Sequence, residues 1–155
     1  MKFSHLIQIN DPLNPLIDPL SREQLWRGLV HRAENPLPFI VGLDDCRIVA
    51  RTERTLRREL HFGKLTVRDC VTLDPMNCVR YETQAGGGLP ASSLAMSIEE
   101  PRADELVVRF SYEIVRDPGD APEQAFYDAF LKKAYVEADI DTIRTIRRLV
   151  VENLL

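Results

Sequence analysis

The sequence lacks any continuous apolar stretch of membrane-spanning length, since a spanning helix needs about 20 predominantly apolar residues. It also lacks the apolar core of a secretory signal peptide near its start. Residues 1–10, MKFSHLIQIN, alternate between apolar and polar side chains like a β-strand instead. We therefore expect a soluble, cytoplasmic protein with no membrane span.

Cysteine is scarce, and its arrangement is uninformative about metals. The three thiols, Cys46, Cys70 and Cys78, form no CxxC pair, and no histidine stands at the spacing of a zinc ligand. This pattern indicates neither a disulfide framework nor a zinc site, and favours a reducing compartment. Motifs that specify a mechanism are missing too: there is no GxxxxGK[ST] loop, HExxH helix or GxSxG turn. We expect no metal and no cofactor.

An excess of positive charge is also missing. The chain has 24 acidic and 20 basic residues, a formal net charge of -4, whereas a large nucleic-acid footprint usually needs a basic stripe. Arg51, Arg54, Arg57 and Arg58 do cluster, but two glutamates interrupt them and strand alternation divides them between two sheet faces. We interpret the cluster as solvated sheet surface in preference to a phosphate-binding patch, and expect no nucleic-acid partner.

The length and composition favour one core. With 155 residues, of which 45% are hydrophobic, the chain is long enough for one hydrophobic core and short for two. We expect a single domain over residues 1–155, as a monomer or a weak homodimer.

Residues 55–73, TLRRELHFGKLTVRDCVTL, have the pattern of a β-hairpin. A two-residue turn at Gly63 and Lys64 places Arg58 opposite Asp69, in the middle of a face that is otherwise apolar. The apolar pairs on that face are Phe62 with Leu65, Leu60 with Val67, and Leu56 with Val71. The hairpin therefore predicts a charged pair among apolar side chains.

The next turn predicts how the sheet continues. Residues 74–77, DPMN, fit a type I turn with Asn77 in the left-handed conformation, which gives a three-residue hairpin loop. Its register pairs Val71 with Tyr81 and Asp69 with Thr83. Tyr81 and Thr83 then lie on the same sheet face as Arg58.

A short helix is predicted after the first strand and a Pro-rich loop. Ser21 and Gln24 form an S-x-x-Q capping box, and Asn35–Pro36 ends the helix. Its apolar stripe consists of Leu25, Trp26, Leu29, Val30 and Ala33. Residues 36–45 fit either a second helical turn or a crossing loop.

Two side chains in this region invite a functional interpretation. His5 lies on the mostly apolar face of the first strand, and Trp26 lies on the helix stripe. A lone histidine in such a place is more often packed and hydrogen-bonded than a ligand. A single tryptophan on an apolar stripe is more often core than cavity wall. We prefer the packed interpretation for both.

Six further strands are predicted between Cys46 and Val115, because alternating or β-branched segments are separated there by turn residues. Residues 85–90, AGGGLP, are either a pocket rim or, as we prefer, only a flexible turn. Asp120 and Glu123 then mark the start of a helix that runs to about Asn153 and spans on the order of 45 Å. Its predicted apolar stripe is Phe126, Ala129, Phe130, Val136, Ile140, Ile143, Val150 and Leu154.

This order of elements predicts an α+β helix-grip fold, in which a curved seven-stranded antiparallel sheet wraps around a long C-terminal helix. It resembles the START-like superfamily, also called Bet v 1-like or SRPBCC. NDPLNPLIDPLSREQLWRGL, RELHFG at 58–63 and DELVVRFSYEI resemble the AtaL-like family of small proteins. The likeness covers nearly the whole chain, and no catalytic residues carry over from it. It implies a hydrophobic cavity between sheet and helix that holds an apolar or amphipathic small molecule.

We expect the ligand to contact a set of mostly apolar side chains on the concave face and the long helix. The predicted ligand-binding residues are Arg58, Leu60, Val67, Asp69, Tyr81, Met96, Phe110, Tyr112 and Phe130. In this hypothesis Arg58 offers its guanidinium to a carboxylate, phenolate or carbonyl, and Asp69 orients it. The alternative is that the two side chains only neutralise each other.

Two other functions are compatible with the fold. A polyketide cyclase-like enzyme would use Asp69 as general base and Arg58 to stabilise an enolate, although a neighbouring Arg weakens a carboxylate as a base. A protein-interaction module would use the long helix or an open sheet edge.

Overall fold

The computed structural model describes residues 1–116 and 122–155. In these residues the strands are β1 (Lys2–Asn10), β2 (Asp45–Arg51), β3 (Thr55–Phe62), β4 (Leu65–Asp74), β5 (Cys78–Thr83), β6 (Ser92–Glu99) and β7 (Leu106–Ile114), and the helices are α1 (Arg22–Glu34) and α2 (Pro122–Val151). All the strands form one antiparallel sheet in the order β1-β7-β6-β5-β4-β3-β2. The predicted helix-grip fold is confirmed: a curved seven-stranded sheet is combined with a long C-terminal helix. Neither helix in this part of the chain has the length and apolarity to cross a membrane.

The predicted registers of β3, β4 and β5 are confirmed. Arg58 lies opposite Asp69 across β3 and β4, and Asp69 lies opposite Thr83 across β4 and β5. Gly63, in the turn of the first hairpin, has a φ of 58°, which glycine adopts without steric cost. Turn chemistry and apolar alternation therefore specify the same register.

The second hairpin turn differs from the prediction in its conformation. Met76, and not Asn77, has the positive φ, of 66°. The Asn77 N–H donates to the Asp74 carbonyl at 3.0 Å, so that Pro75 and Met76 are the two central residues. A positive φ at the second central residue belongs to a type II turn, and the predicted type I turn is wrong.

Helix α1 begins and ends as its sequence predicts. The Gln24 N–H donates to Ser21 Oγ at 3.0 Å, and the Ser21 N–H donates to Gln24 Oε1 at 2.9 Å, completing the capping box. Leu25 and Leu29 are buried, and Trp26 is half-buried and packed against the core. The segment after Pro36 forms turns and not a second helix.

The core lies where the sheet, α1 and α2 meet. Its fully buried side chains include Leu25, Leu29, Val71, Val79, Met96, Val108, Phe110 and Ile146. Gly28 fixes the approach of the two helices, since a Cβ there would lie 2.5 Å from a methyl carbon of Ile146. This contact holds the C-terminal part of α2 against α1.

The buried face of α2 differs from the predicted apolar stripe. Ile143 is buried as expected, but Phe126, Phe130 and Ile140 are exposed. Helical periodicity instead buries a face with two polar members. The buried side chains of α2 are Asp139, Thr142, Ile143, Ile146 and Leu149. Asp139 lies on this face because hydrogen bonds from β1 and β7 satisfy it, which rotates the aromatic side chains outward. The predicted N-cap, Asp120, lies outside the described residues.

Candidate functional site

A cavity in two adjoining chambers lies between the sheet and the N-terminal half of α2. The outer chamber has a volume of about 400 Å³ and the inner chamber of about 200 Å³. The two chambers have wall residues in common. These are Val67, Thr83, Ser92, Ile114 and Tyr135. A molecule in either chamber therefore contacts side chains that also line the other.

The outer chamber opens between the β5–β6 connection and the start of α2. Ala85, Gly86, Leu89 and Pro90 line one side. On the other side lie Gln124, Tyr127, Leu131 and Tyr135 of the helix. The glycine-containing connection thus forms the rim of a pocket, which was the less favoured of its two interpretations. The half-exposed Tyr127 faces it from the helix side of this pocket.

Most of the predicted ligand-binding residues come together in the inner chamber. Those that line it are Arg58, Leu60, Val67, Asp69, Tyr81 and Tyr112. Met96 and Phe110 are fully buried in the core behind this wall. Phe130 lies outside the cavity with 66% of its surface exposed, because the phase of α2 turns it toward solvent. Phe130 was predicted from the sequence to contact the ligand, but it lines neither chamber.

Arg58 and Asp69 are held by each other and by α1. Arg58 Nε donates to Asp69 Oδ1 at 2.9 Å, Nη2 donates to Oδ2 at 2.6 Å, and Nη1 donates to the Ala33 carbonyl at 2.8 Å. The two residues are only 2% and 7% exposed. Burial acts to lower the pKa of Arg58, but hydrogen bonds and the charge of Asp69 more than offset it, so that the pKa lies above its usual value. The third bond, from Arg58 Nη1 to the Ala33 carbonyl, connects the pair to α1.

Tyr81 lies against two guanidinium groups. Its ring centroid is 5.1 Å from Arg58 Cζ and 5.0 Å from Arg32 Cζ, within the range of cation–π contacts. Tyr81 is only 5% exposed. Its hydroxyl and Arg32 Nε are both buried without a hydrogen-bond partner among the described residues. The inner chamber therefore contains two polar groups that the folded chain does not satisfy.

Sequence reasoning missed Arg32. It stands seven residues after Leu25 and three after Leu29, which is the spacing of one helix face. Its charge hid it from a search for apolar residues. The helical spacing itself places Arg32 on the face that α1 turns toward the sheet.

A second polar cluster closes the inner chamber behind Tyr112. The Tyr112 hydroxyl donates to the Asp139 carboxylate and lies 2.7 Å from Oδ1 and 2.8 Å from Oδ2. His5 Nε2 lies 2.6 Å from Asp139 Oδ2. The Tyr112 ring stacks on Tyr135 with centroids 4.1 Å apart. His5 is thus packed and hydrogen-bonded, as preferred from sequence. The cluster joins β1, β7 and α2.

Burial controls the protonation of this cluster. It raises the pKa of Asp139, and the hydrogen bonds from Tyr112 and His5 only partly counteract it. Burial and the neighbouring Asp139 charge also raise the pKa of Tyr112. Tyr112 therefore keeps its proton and acts as a donor at neutral pH. No group of three or more His, Cys, Asp or Glu side chains in residues 1–116 and 122–155 is arranged to hold a metal ion.

Solved structures with the same fold include proteins described as aromatase/cyclases. The Zhui aromatase/cyclase from Streptomyces sp. R1128 is 16% identical with a TM-score of 0.63, and the match covers 97% of this chain and 95% of that one. The di-domain ARO/CYC StfQ of the steffimycin pathway is 11% identical with a TM-score of 0.72, covering 99% of this chain and 52% of that one. Identities this low show a shared fold only.

A START superfamily protein from Mycobacterium smegmatis has the same architecture. It is 15% identical with a TM-score of 0.54, and the match covers 99% of both chains. No curated protein matches the sequence. A family model does match it: the model described as "Acetylaranotin biosynthesis cluster protein L", AtaL, covers residues 7–153. The AtaL resemblance is confirmed, and the chain belongs to the AtaL family.

Proposed function

We propose that this protein binds a small hydrophobic or amphipathic molecule in the two-chambered cavity between the sheet and α2. The observation that carries the proposal is the shared wall of the two chambers, which places them side by side. Small-molecule sites usually occupy about 300–1,000 Å³, and the outer chamber alone has about 400 Å³. The space is therefore large enough for a ligand.

The lining suits a mostly apolar ligand. Leu60 and Val67 supply apolar wall from the sheet, Ile114 from the end of β7 and Leu131 from α2. Polar groups line both chambers as well: Thr83 and Ser92 contribute hydroxyl groups to the shared wall, and Arg32 and Tyr81 line the inner chamber. A pocket with apolar walls and a few convergent polar groups is typical of sites that bind and orient small molecules.

A blocking substitution tests the proposal. Thr83 belongs to the wall of both chambers, so Thr83→Trp places a large ring in the passage between them. Glu82→Trp, on the neighbouring exposed position, is the matched control. We expect calorimetric titration with anilinonaphthalene sulfonate to show binding to the wild type and the control, and at least about tenfold weaker binding to Thr83→Trp, or about 1.4 kcal/mol. Equal affinities of the two tryptophan variants for anilinonaphthalene sulfonate would contradict the proposal.

Cyclase chemistry is the second candidate. The family description names a biosynthesis cluster, two structural neighbours are named as aromatase/cyclases, and a buried carboxylate, Asp69, lines the inner chamber. An intramolecular aldol closure needs a base for the carbon acid and a donor for the carbonyl oxygen. Arg58 engages both oxygens of Asp69, which leaves this carboxylate poorly placed to take a substrate proton. Ligand binding is therefore the better supported function.

The enzyme hypothesis has its own test. Asp69→Asn is first checked for folding by circular dichroism. The variant should no longer convert a linear polyketide, but it should still bind dodecanoate, a fatty-acid probe of the cavity. Unchanged conversion would remove Asp69 as the base.

A further inference from the structure

We propose that Arg32 and Tyr81 form a carboxylate-binding subsite at the inner end of the cavity, so that the ligand is an amphipathic carboxylic acid with its head group innermost. This inference rests on the proposed ligand-binding function and specifies its ligand class. Both residues line the inner chamber. Tyr81 is one of the ligand-binding residues predicted from the sequence, whereas Arg32 is not.

Two buried hydrogen-bonding groups of the inner chamber lack partners in the part of the chain that the structure describes. The Tyr81 hydroxyl and Arg32 Nε are buried, and no partner for either lies among the described residues. Leaving a buried polar group unpaired is costly, because its bonds to water are lost without replacement. Both groups can donate, so a ligand that satisfies them together must present an acceptor. An oxygen at the inner end of the ligand meets that requirement.

The two arginines of the inner chamber differ in how their charge is neutralised. Asp69 neutralises Arg58 through two hydrogen bonds, but Arg32 forms no ion pair with a carboxylate of residues 1–116 or 122–155. Asp139, whose carboxyl the Arg32 charge influences, is already occupied by Tyr112 and His5. The inner chamber therefore retains the positive charge of Arg32. An anionic acceptor is favoured over a neutral one.

The shape of the Arg32 guanidinium also favours a carboxylate. A guanidinium presents paired donors that match the two oxygens of a carboxylate. Arg58 already holds the Asp69 carboxylate in this way within the same chamber. Arg32 lies equally near the Tyr81 ring and has no such partner. A carboxylate head at Arg32 leaves the apolar body of the ligand against Leu60 and Val67, directed toward the outer chamber.

Matched probes and variants test the subsite by calorimetric titration. Dodecanoate and dodecanol have the same chain length and differ in the head group. Arg32→Met keeps an unbranched apolar stem comparable to the arginine methylenes and removes the guanidinium group with its charge and donors. Arg27→Met is the control, because Arg27 lies on the same helix with its guanidinium exposed and paired with Glu23.

We expect the wild type and Arg27→Met to bind dodecanoate at least about tenfold more tightly than dodecanol, or about 1.4 kcal/mol. In Arg32→Met this preference should disappear through weaker dodecanoate binding, with dodecanol affinity unchanged. A preference that persists in Arg32→Met overturns the subsite and leaves the binding function intact. Failure of the wild type to bind either probe overturns both.

Tyr81→Phe provides an independent arm that does not depend on the folding of Arg32→Met. The substitution removes only a hydroxyl that has no partner, so we expect unliganded stability to be unchanged or higher. Dodecanoate affinity should fall by a few-fold while dodecanol affinity stays the same. Loss of both affinities together, or of neither, contradicts a role for this hydroxyl in head-group recognition.

Discussion

Arg58 and Asp69 face each other across β3 and β4 and are joined by hydrogen bonds of 2.9 and 2.6 Å, while the remaining Arg58 nitrogen bonds the Ala33 carbonyl near the end of α1. The pair therefore does more than cancel two charges. It connects the wall of the inner chamber to the last turn of α1, which also carries Arg32. Loss of either partner affects the sheet and the helix together.

Asp69→Ala should lower the free energy of unfolding by about 3–5 kcal/mol, because it leaves the Arg58 guanidinium buried without its counter-charge. The double substitution Arg58→Met with Asp69→Leu should cost much less, since no unpaired charge remains. Urea denaturation measures both. Glu59→Ala is the control: its partner Arg68 is largely exposed, so the change should cost less than about 1 kcal/mol. A similar loss for Asp69→Ala and Glu59→Ala would contradict this account of the pair.

Gly28→Ala should destabilise the protein by about 1–3 kcal/mol, as overpacking of a core usually does. The new methyl group would lie 2.5 Å from a methyl carbon of Ile146, so α1 and α2 would have to move apart. Gly86→Ala adds a methyl group to open space and should be nearly neutral. Thermal and urea denaturation measure the stability of the two variants. An equal stability of Gly28→Ala and Gly86→Ala would refute the close contact.

The stability of the protein should depend on pH through Asp139. Burial raises its folded-state pKa above the ordinary 3.8, so the folded state holds this proton more tightly than the unfolded state does. The free energy of unfolding then falls as pH rises from 3.8 through the raised value.

Asp139→Asn cannot titrate at this position, and the surrounding His5, Tyr112 and Arg32 are the same in both proteins. We therefore expect the advantage of the wild type over Asp139→Asn to shrink as pH rises through that window. Urea denaturation at a series of pH values measures the difference. An advantage that is constant or grows over the window would rule out the raised pKa.

Phe130→Ala should change the free energy of unfolding by no more than about 0.5 kcal/mol, as surface substitutions usually do. The same truncation at Phe110, which is fully buried, should cost about 3–5 kcal/mol. The comparison checks the phase of α2 directly. A large loss at Phe130 would mean that the apolar stripe predicted from the sequence is the buried one after all.

The sequence predicted the sheet accurately because two independent local signals agreed there. The Gly63 turn and the alternation around Arg58 and Asp69 required one register, and the turn before β5 extended it to Tyr81 and Thr83. The conformation of the second hairpin turn rested on residue preferences alone, and that prediction was wrong. In the turn before β5 the positive φ falls on Met76 and not on Asn77, although residue preferences favour asparagine for that conformation.

The phase of α2 and the role of Arg32 depended on tertiary partners. Asp139 is buried because Tyr112 and His5, far away in the sequence, satisfy it, and hydropathy assigns such a residue to the surface. Arg32 is placed inside the cavity by the packing of α1 on the sheet. Both residues sit at helical spacing from buried neighbours, so periodicity without regard to polarity is the signal that would have found them.

The most direct test of the central claim is a methyl-detected NMR titration of the protein with dodecanoate. If the ligand occupies the cavity between the sheet and α2, the largest shifts will appear at Val67 and Ile114, which line both chambers. Val49 and Val151, which are exposed, serve as reference methyl groups and should shift little. Shifts centred on the exposed residues, with Val67 and Ile114 unmoved at saturation, would contradict a binding cavity at this position.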